Sequence, residues 1–203
     1  MMNIVYRQYI KRLLDIIFGI IGFVISSVIF MIIGPIIYFT DKGPILYVAP
    51  RLGKDGKVFK MLKFRSMKLN APDIRNSDGS TFNSEDDPRV TKVGKFIRKT
   101  SLDEFPQFIN VLMGDMSLIG PRPNVITTTY DNLSIVEKER IKEKPGITGF
   151  NQAYFRNSVD TEEKYNNDIF YINNISFALD LKILIKTLVS VLRKENINSK
   201  LKN

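Results

Sequence analysis

The 203-residue chain contains no cysteine and no histidine. Without cysteine there is no disulfide framework, no thiolate nucleophile and no zinc ribbon. Exposure to a reducing cytosol fits that absence. Without histidine, the commonest general base and the commonest transition-metal ligand are both missing. Chemistry is left to carboxylates, lysine, arginine, hydroxyls and backbone amides. A catalytic metal must then accept oxygen ligands, which points to Mg²⁺ or Mn²⁺.

Acid is scarcer than base. Lys and Arg number 30 against 21 Asp and Glu, a formal charge of +9 and a pI of about 9.6. Such a surface suits anionic partners. No aromatic-rich nucleic-acid platform accompanies it, so nucleic acid is not expected among them. The length suits one domain with a short appendage and is enough to bury a core.

Charge is absent altogether from residues 16–39, IIFGIIGFVISSVIFMIIGPIIYF. As one helix this run would extend about 36 Å, enough for a bilayer core of roughly 30 Å. It is too long for a signal peptide and no small-residue cleavage site follows. A buried core helix is the other alternative, but the run is apolar on every face. Both flanks are basic: Arg7, Lys11 and Arg12 before it, Lys42, Arg51, Lys54 and further lysines after it. The positive-inside rule wants both in the cytoplasm, which a helix that enters, bends and returns would satisfy. Ser26, Ser27 and Gly34-Pro35 are the candidate hinges. Two regions follow: a membrane-inserted segment, 1–40, and a cytoplasmic domain, 41–203.

The second region reads as α+β and mostly helical. Residues 44–49 and 57–64 read as strands joined by Gly53-Lys54-Asp55-Gly56, a hairpin signal. Residues 70–87 form a long polar loop; Asp78-Gly79 within it lacks calcium-loop spacing. Helices are expected over 91–99, 105–113, 135–144, the last ended by Pro145-Gly146, and 178–193. In the last, Leu181, Leu184, Ile185, Leu188 and Leu192 recur at helical spacing. They pack in a core, or they lie on a membrane surface with Lys182, Lys186, Arg193 and Lys194 alongside.

The chemistry concentrates in residues 86–123, DDPRVTKVGKFIRKTSLDEFPQFINVLMGDMSLIGPRP. Asp103 and Glu104 are adjacent carboxylates just before Phe105-Pro106, and proline belongs near a helix start. A helix beginning close to Asp103 would place free amides beside them, where phosphate is attracted. Arg98 lies five residues upstream, and Arg122 is held between two prolines. Together these make a diphosphate and Mg²⁺ site with a carboxylate able to act as nucleophile. The plainer alternatives are an Asp103 N-cap, a capping box over Ser101–Glu104, and Arg122 paired with a structural acid such as Asp115.

Asp87-Pro88-Arg89, Ser101 to Gln107, Asn110-Val111-Leu112, Gly114 to Ser117 and Gly120 to Pro123 together resemble the bacterial sugar transferase family. These are the monotopic polyprenyl-phosphate phosphoglycosyl transferases. The likeness extends to Lys11-Arg12 with Asp15, Arg51-Leu52-Gly53, Lys63 to Met67, Pro145 to Gly149, Gln152 and Leu179-Asp180-Leu181. At this length the chain resembles the family's small catalytic form. The resemblance implies transfer of a phosphosugar from a nucleoside diphosphate sugar, usually a UDP-sugar, to a polyprenyl phosphate such as undecaprenyl phosphate, with release of UMP. It implies Asp103 as covalent nucleophile, Glu104 as catalytic Mg²⁺ ligand, and Arg98, Arg122, Lys63, Arg65 and Gln107 as substrate and phosphate contacts. It further implies a re-entrant helix at the bacterial inner membrane, interfacial amphipathic helices, and a catalytic domain on the cytoplasmic face. One departure stands out: the family's mid-helix Ser-Pro pair is Ser27-Val28 here. A non-catalytic, membrane-tethered basic binding protein is the competing reading, and it gives the Asp-Glu pair no role.

Overall fold

The computed structural model describes residues 2–74, 82, 84, 86–126, 130–155 and 158–193. An N-terminal helical run opens with α1 (Met2–Val5), passes through a π-helical turn (Tyr6–Ile10) and continues as α2 (Lys11–Asp41). α2 is one helix through Ser26, Ser27 and Pro35. The Ser27 hydroxyl donates back to the Phe23 carbonyl at 2.9 Å, a contact that bends helices without breaking them. Buried positions on α2 are Asp15, Gly19, Gly22, Ser26, Ile33, Gly34 and Ile37. All but two are small or polar, whereas large side chains such as Ile20, Phe23, Met31 and Phe39 stay exposed. A soluble core helix has the reverse arrangement, so the core-helix alternative fails. The run Tyr6–Asp41 is long and apolar enough to cross a membrane.

Both ends of α2 are tied to the same body. Near its start, Arg12 donates to the carbonyls of Val111 (2.7 Å) and Leu112 (3.0 Å). Asp15 accepts from the Ser117 hydroxyl and the Leu118 amide. Lys11 and the Tyr6 hydroxyl both bind Asp180, at 2.7 and 2.6 Å. At its far end, Asp41 takes both Nη atoms of Arg65, at 2.9 and 2.6 Å.

The hairpin is present. β1 (Leu46–Leu52) runs antiparallel to β2 (Val58–Phe64), and its turn holds Asp55 and Gly56 at positive φ, 54° and 79°. β1 extends past Pro50 because its other edge is paired only at Arg51 and Leu52. α3 (Lys92–Lys99) starts at an N-cap, Thr91, whose hydroxyl accepts from the Gly94 amide. A Cβ on Gly94 would sit 1.8 Å from the Ser66 carbonyl, so glycine there lets α3 close on the end of β2. α4 (Gln107–Met113) stops at Gly114, φ 86°.

Here the structure corrects the sequence. The helix starts at Gln107, four residues after Asp103, and no capping box forms at Ser101. Ser101 is left-handed, Leu102–Glu104 make a 3-10 turn, and Pro106, which has no N–H to donate, ends that turn.

β3 (Ser117–Ile119) pairs in parallel with β5 (Gly146–Thr148), and β4 (Asn124–Val125) joins β1. α5 (Ile135–Arg140) opens with a capping box, Ser134 with Glu137. It ends four residues short of expectation, where the Ile141 carbonyl accepts the Asp55 amide of the hairpin turn. α6 (Phe150–Tyr154), α7 (Thr161–Asn173) and α8 (Phe177–Leu192) complete the chain.

The α8 stripe has the expected period; Leu184 packs against the core and the other four residues face away from it. Leu181, Ile185, Leu188 and Leu192 are exposed, and the core side is carried by Asp180, Ile183 and Ser190. Lys194 lies outside the described residues, as do Asp78, Gly79 and part of the 70–87 loop. The described part of that loop is held by Arg89, which donates to the carbonyls of Pro72 and Phe82 and pairs with buried Asp87 at 2.6 Å.

Candidate active site

Asp103 and Glu104 sit on the 3-10 turn between α3 and α4, on the wall of a broad open cleft of about 2090 Å³. Lys63, near the end of β2, reaches across to Glu104 at 2.9 Å. Arg98 is half-buried on α3, and its Nε donates to the Ser66 hydroxyl at 2.9 Å. Burial pushes the Asp103 carboxyl up to about 6, and the adjoining Glu104 charge adds to this. Lys63, Arg98 and the Asp103 backbone amide pull it the other way. Burial also draws the Arg98 guanidinium below the usual arginine value, against the raising effect of Asp103 and Asp87. Arginine remains charged. The site therefore holds a carboxylate that is mostly ionised at neutral pH and more basic than an ordinary aspartate.

All seven expected residues line this cleft. The structure uses them differently. Arg122 is exposed, and among the described residues no side chain binds its guanidinium; Asp115 does not pair with it. Its own carbonyl accepts from Arg140. Gln107 is buried at the first turn of α4. Arg65 is buried, and its two Nη atoms are held by Asp41 at the far end of α2. Among the described residues no cluster of three or more acids forms a cage for a cation. Two adjacent carboxylates do fit Mg²⁺, which is commonly held by one or two carboxylates together with substrate phosphates.

The sequence matches the family model described as bacterial sugar transferase over residues 6–194. The chain belongs to the bacterial sugar transferase family. Among its relatives, the galactosyl transferase CpsE of Streptococcus agalactiae is 44% identical over 190 residues, covering 90% of this chain and 42% of the relative. A UDP-glucose:undecaprenyl-phosphate glucose-1-phosphate transferase of Klebsiella pneumoniae is 43% identical over 184 residues, 87% of this chain and 39% of the relative. The sugar transferase EpsL of Bacillus subtilis is 41% identical over 189 residues, 93% and 90%. This bacterial sugar transferase thus spans about two fifths of the first two relatives and nearly all of the third.

Beyond the expected set, Ser66 orients Arg98, and Arg140 crosses the cleft wall to Asp168. The Arg140 Nε and Nη2 donate to Asp168 Oδ2 at 2.9 and 2.6 Å. Burial pushes the Asp168 carboxyl up, while Arg140 and Arg122 oppose it. Twenty-eight residues separate this pair, and nothing in the local pattern of α7 marks Asp168 out.

Proposed function

We propose that this bacterial sugar transferase moves a sugar 1-phosphate from a UDP-sugar to undecaprenyl phosphate. Its relatives' names supply the substrate class: glucose 1-phosphate, galactose and N-acetylgalactosamine transfer to undecaprenyl phosphate. The observation that carries the reading is Asp103 itself, a half-buried carboxylate raised to about 6 and flanked by Lys63 and Arg98 in an open cleft.

In this reading an Asp103 oxygen attacks the phosphorus that bears the sugar. The phosphoanhydride bond breaks and UMP leaves with the bridging oxygen, giving an aspartyl phosphosugar. An oxygen of the lipid phosphate then attacks the same phosphorus and the bond to Asp103 breaks. The carboxylate is restored and the polyprenyl diphosphate sugar is released. Neither nucleophile needs a histidine base, because both are already anionic near neutral pH. Arg122 and Arg98 offset charge on the phosphates, Gln107 contacts the donor, and Lys63 holds Glu104 in place. Glu104 would bind Mg²⁺, whose contribution when bound is to neutralise diphosphate charge.

The apolar face of α2 inserts into the cytoplasmic leaflet of the bacterial inner membrane and the helix returns to the same side. Two observations support this: both flanks are basic, and Arg12 and Asp41, at opposite ends of α2, bind the same domain. The outward leucine face of α8 rests on the membrane surface.

The test is a UMP-release assay with undecaprenyl phosphate and a panel of UDP-sugars. With at least one donor, sustained release beyond one UMP per enzyme is expected to depend on the lipid, and all release is expected to be lost on chelation with EDTA. No release with any UDP-sugar would contradict the reading.

A further inference from the structure

Away from Asp103, the same cleft has a second polar wall, built from α6 and α7. Asp168 is 2% exposed and Arg140 5% exposed. Arg140 is fixed on every side: its Nη1 donates to the Asn124 side-chain oxygen at 2.5 Å and its guanidinium lies 4.1 Å from the Tyr165 ring. The pair is neutral overall. It occupies Asp168 Oδ2 and leaves Oδ1 buried with no hydrogen-bond partner among the described residues. On α6, the Gln152 side-chain amide is likewise buried, and among the described residues neither its oxygen nor its nitrogen has a partner. A Cβ on Gly149 would stand 2.1 Å from the Gly120 carbonyl and 2.9 Å from Gln152 Oε1, so glycine there admits both. Asp168 and Gln152 both line the cleft.

Buried polar atoms are normally satisfied. Three unsatisfied ones on the wall of a substrate cleft are arranged for groups that arrive with a ligand. Resting on the phosphoglycosyl transferase reading, we propose that Gln152 and Asp168 receive the sugar ring of the donor. The chemistry selects that part of the molecule. A carboxylate oxygen repels phosphate and accepts from a hydroxyl, and an amide both donates and accepts. Together they suit neighbouring sugar hydroxyls or an acetamido group. A nucleobase would want a flat face to stack on, and the Tyr165 face is already covered by Arg140. The phosphates are served by the cations around Asp103.

Gln152→Leu removes the orphaned amide at nearly constant volume and breaks no hydrogen bond among the described residues. The variant should melt no lower than wild type. Its KM for the preferred UDP-sugar should rise about tenfold to a hundredfold, and its discrimination among UDP-glucose, UDP-galactose and UDP-N-acetylgalactosamine should shrink. Inhibition by UDP, which carries no sugar, should be unchanged. Asp168→Asn keeps the shape of the Arg140 contact and tests the other atom in the same way; should it fail to fold, the Gln152 result decides alone. An unchanged KM and sugar preference in Gln152→Leu would overturn the proposal. An equal loss of UDP affinity would overturn it too, by giving this wall to the nucleoside. If wild-type enzyme releases no UMP from any UDP-sugar, it is the underlying reading that fails.

Discussion

At the scale of single residues, Asp103 gains its character from position. A 3-10 turn buries its carboxyl beside Glu104 while keeping two cations within electrostatic reach. Raising an acid's pKa makes the conjugate base a better nucleophile, provided it still ionises. At pH 7 a group near 6 is about nine-tenths ionised. The nucleophile must be deprotonated, so turnover should climb as pH rises through about 6 and level off above 7. Glu104→Gln removes the like charge that helps raise Asp103, so the rising limb should move to lower pH even though turnover should fall with the loss of the proposed metal ligand. A pH–rate profile of the two proteins checks this, and a limb fixed at the same pH in both would count against the coupling.

At the scale of elements, the fold depends on how α2 docks. The Tyr6, Lys11, Tyr171 and Asp180 network joins the first helical run to α7 and α8 through buried charge-assisted hydrogen bonds. Lys11→Met leaves the Asp180 carboxylate without its cation in a buried site. We expect a loss of about 3 kcal/mol, read as a lower melting temperature in detergent, with the Asp103 site intact in whatever remains folded. Much of this architecture was legible from sequence. The uncharged run marked α2, Asp55-Gly56 marked the hairpin, and Thr91 and Gly114 stand at a helix start and a helix stop. Such signals are local. What escaped was set by distant partners: three-residue strands such as β3 and β5 have no pattern of their own, and α5 ends where the hairpin turn takes the Ile141 carbonyl. The α8 stripe was legible in period but not in direction, because periodicity defines a face without saying what that face meets. The site divides likewise. Asp103, Glu104 and Arg98 are close in sequence and could be found, whereas Asp41 claims Arg65 and Arg140 claims Asp168 across folds of the chain.

At the scale of the whole molecule, a net charge of +9 and an outward apolar helix face suit attachment to an anionic surface, as proposed above. The chain has no cysteine, so a single one at Asn3 can be labelled cleanly. In intact cells an impermeant thiol reagent should leave Asn3→Cys unlabelled and should label it after permeabilisation. Labelling of intact cells would place the start of the chain outside and α2 across the bilayer. The central claim is that Asp103 carries the phosphosugar between donor and lipid. The most direct measurement is the intact mass of the protein after incubation with its UDP-sugar alone. The account predicts a gain of one phosphosugar in the wild-type protein, discharged on adding undecaprenyl phosphate and absent from Asp103→Asn. An Asp103→Asn protein that still gains this mass, or that still turns over at the wild-type rate, would contradict it.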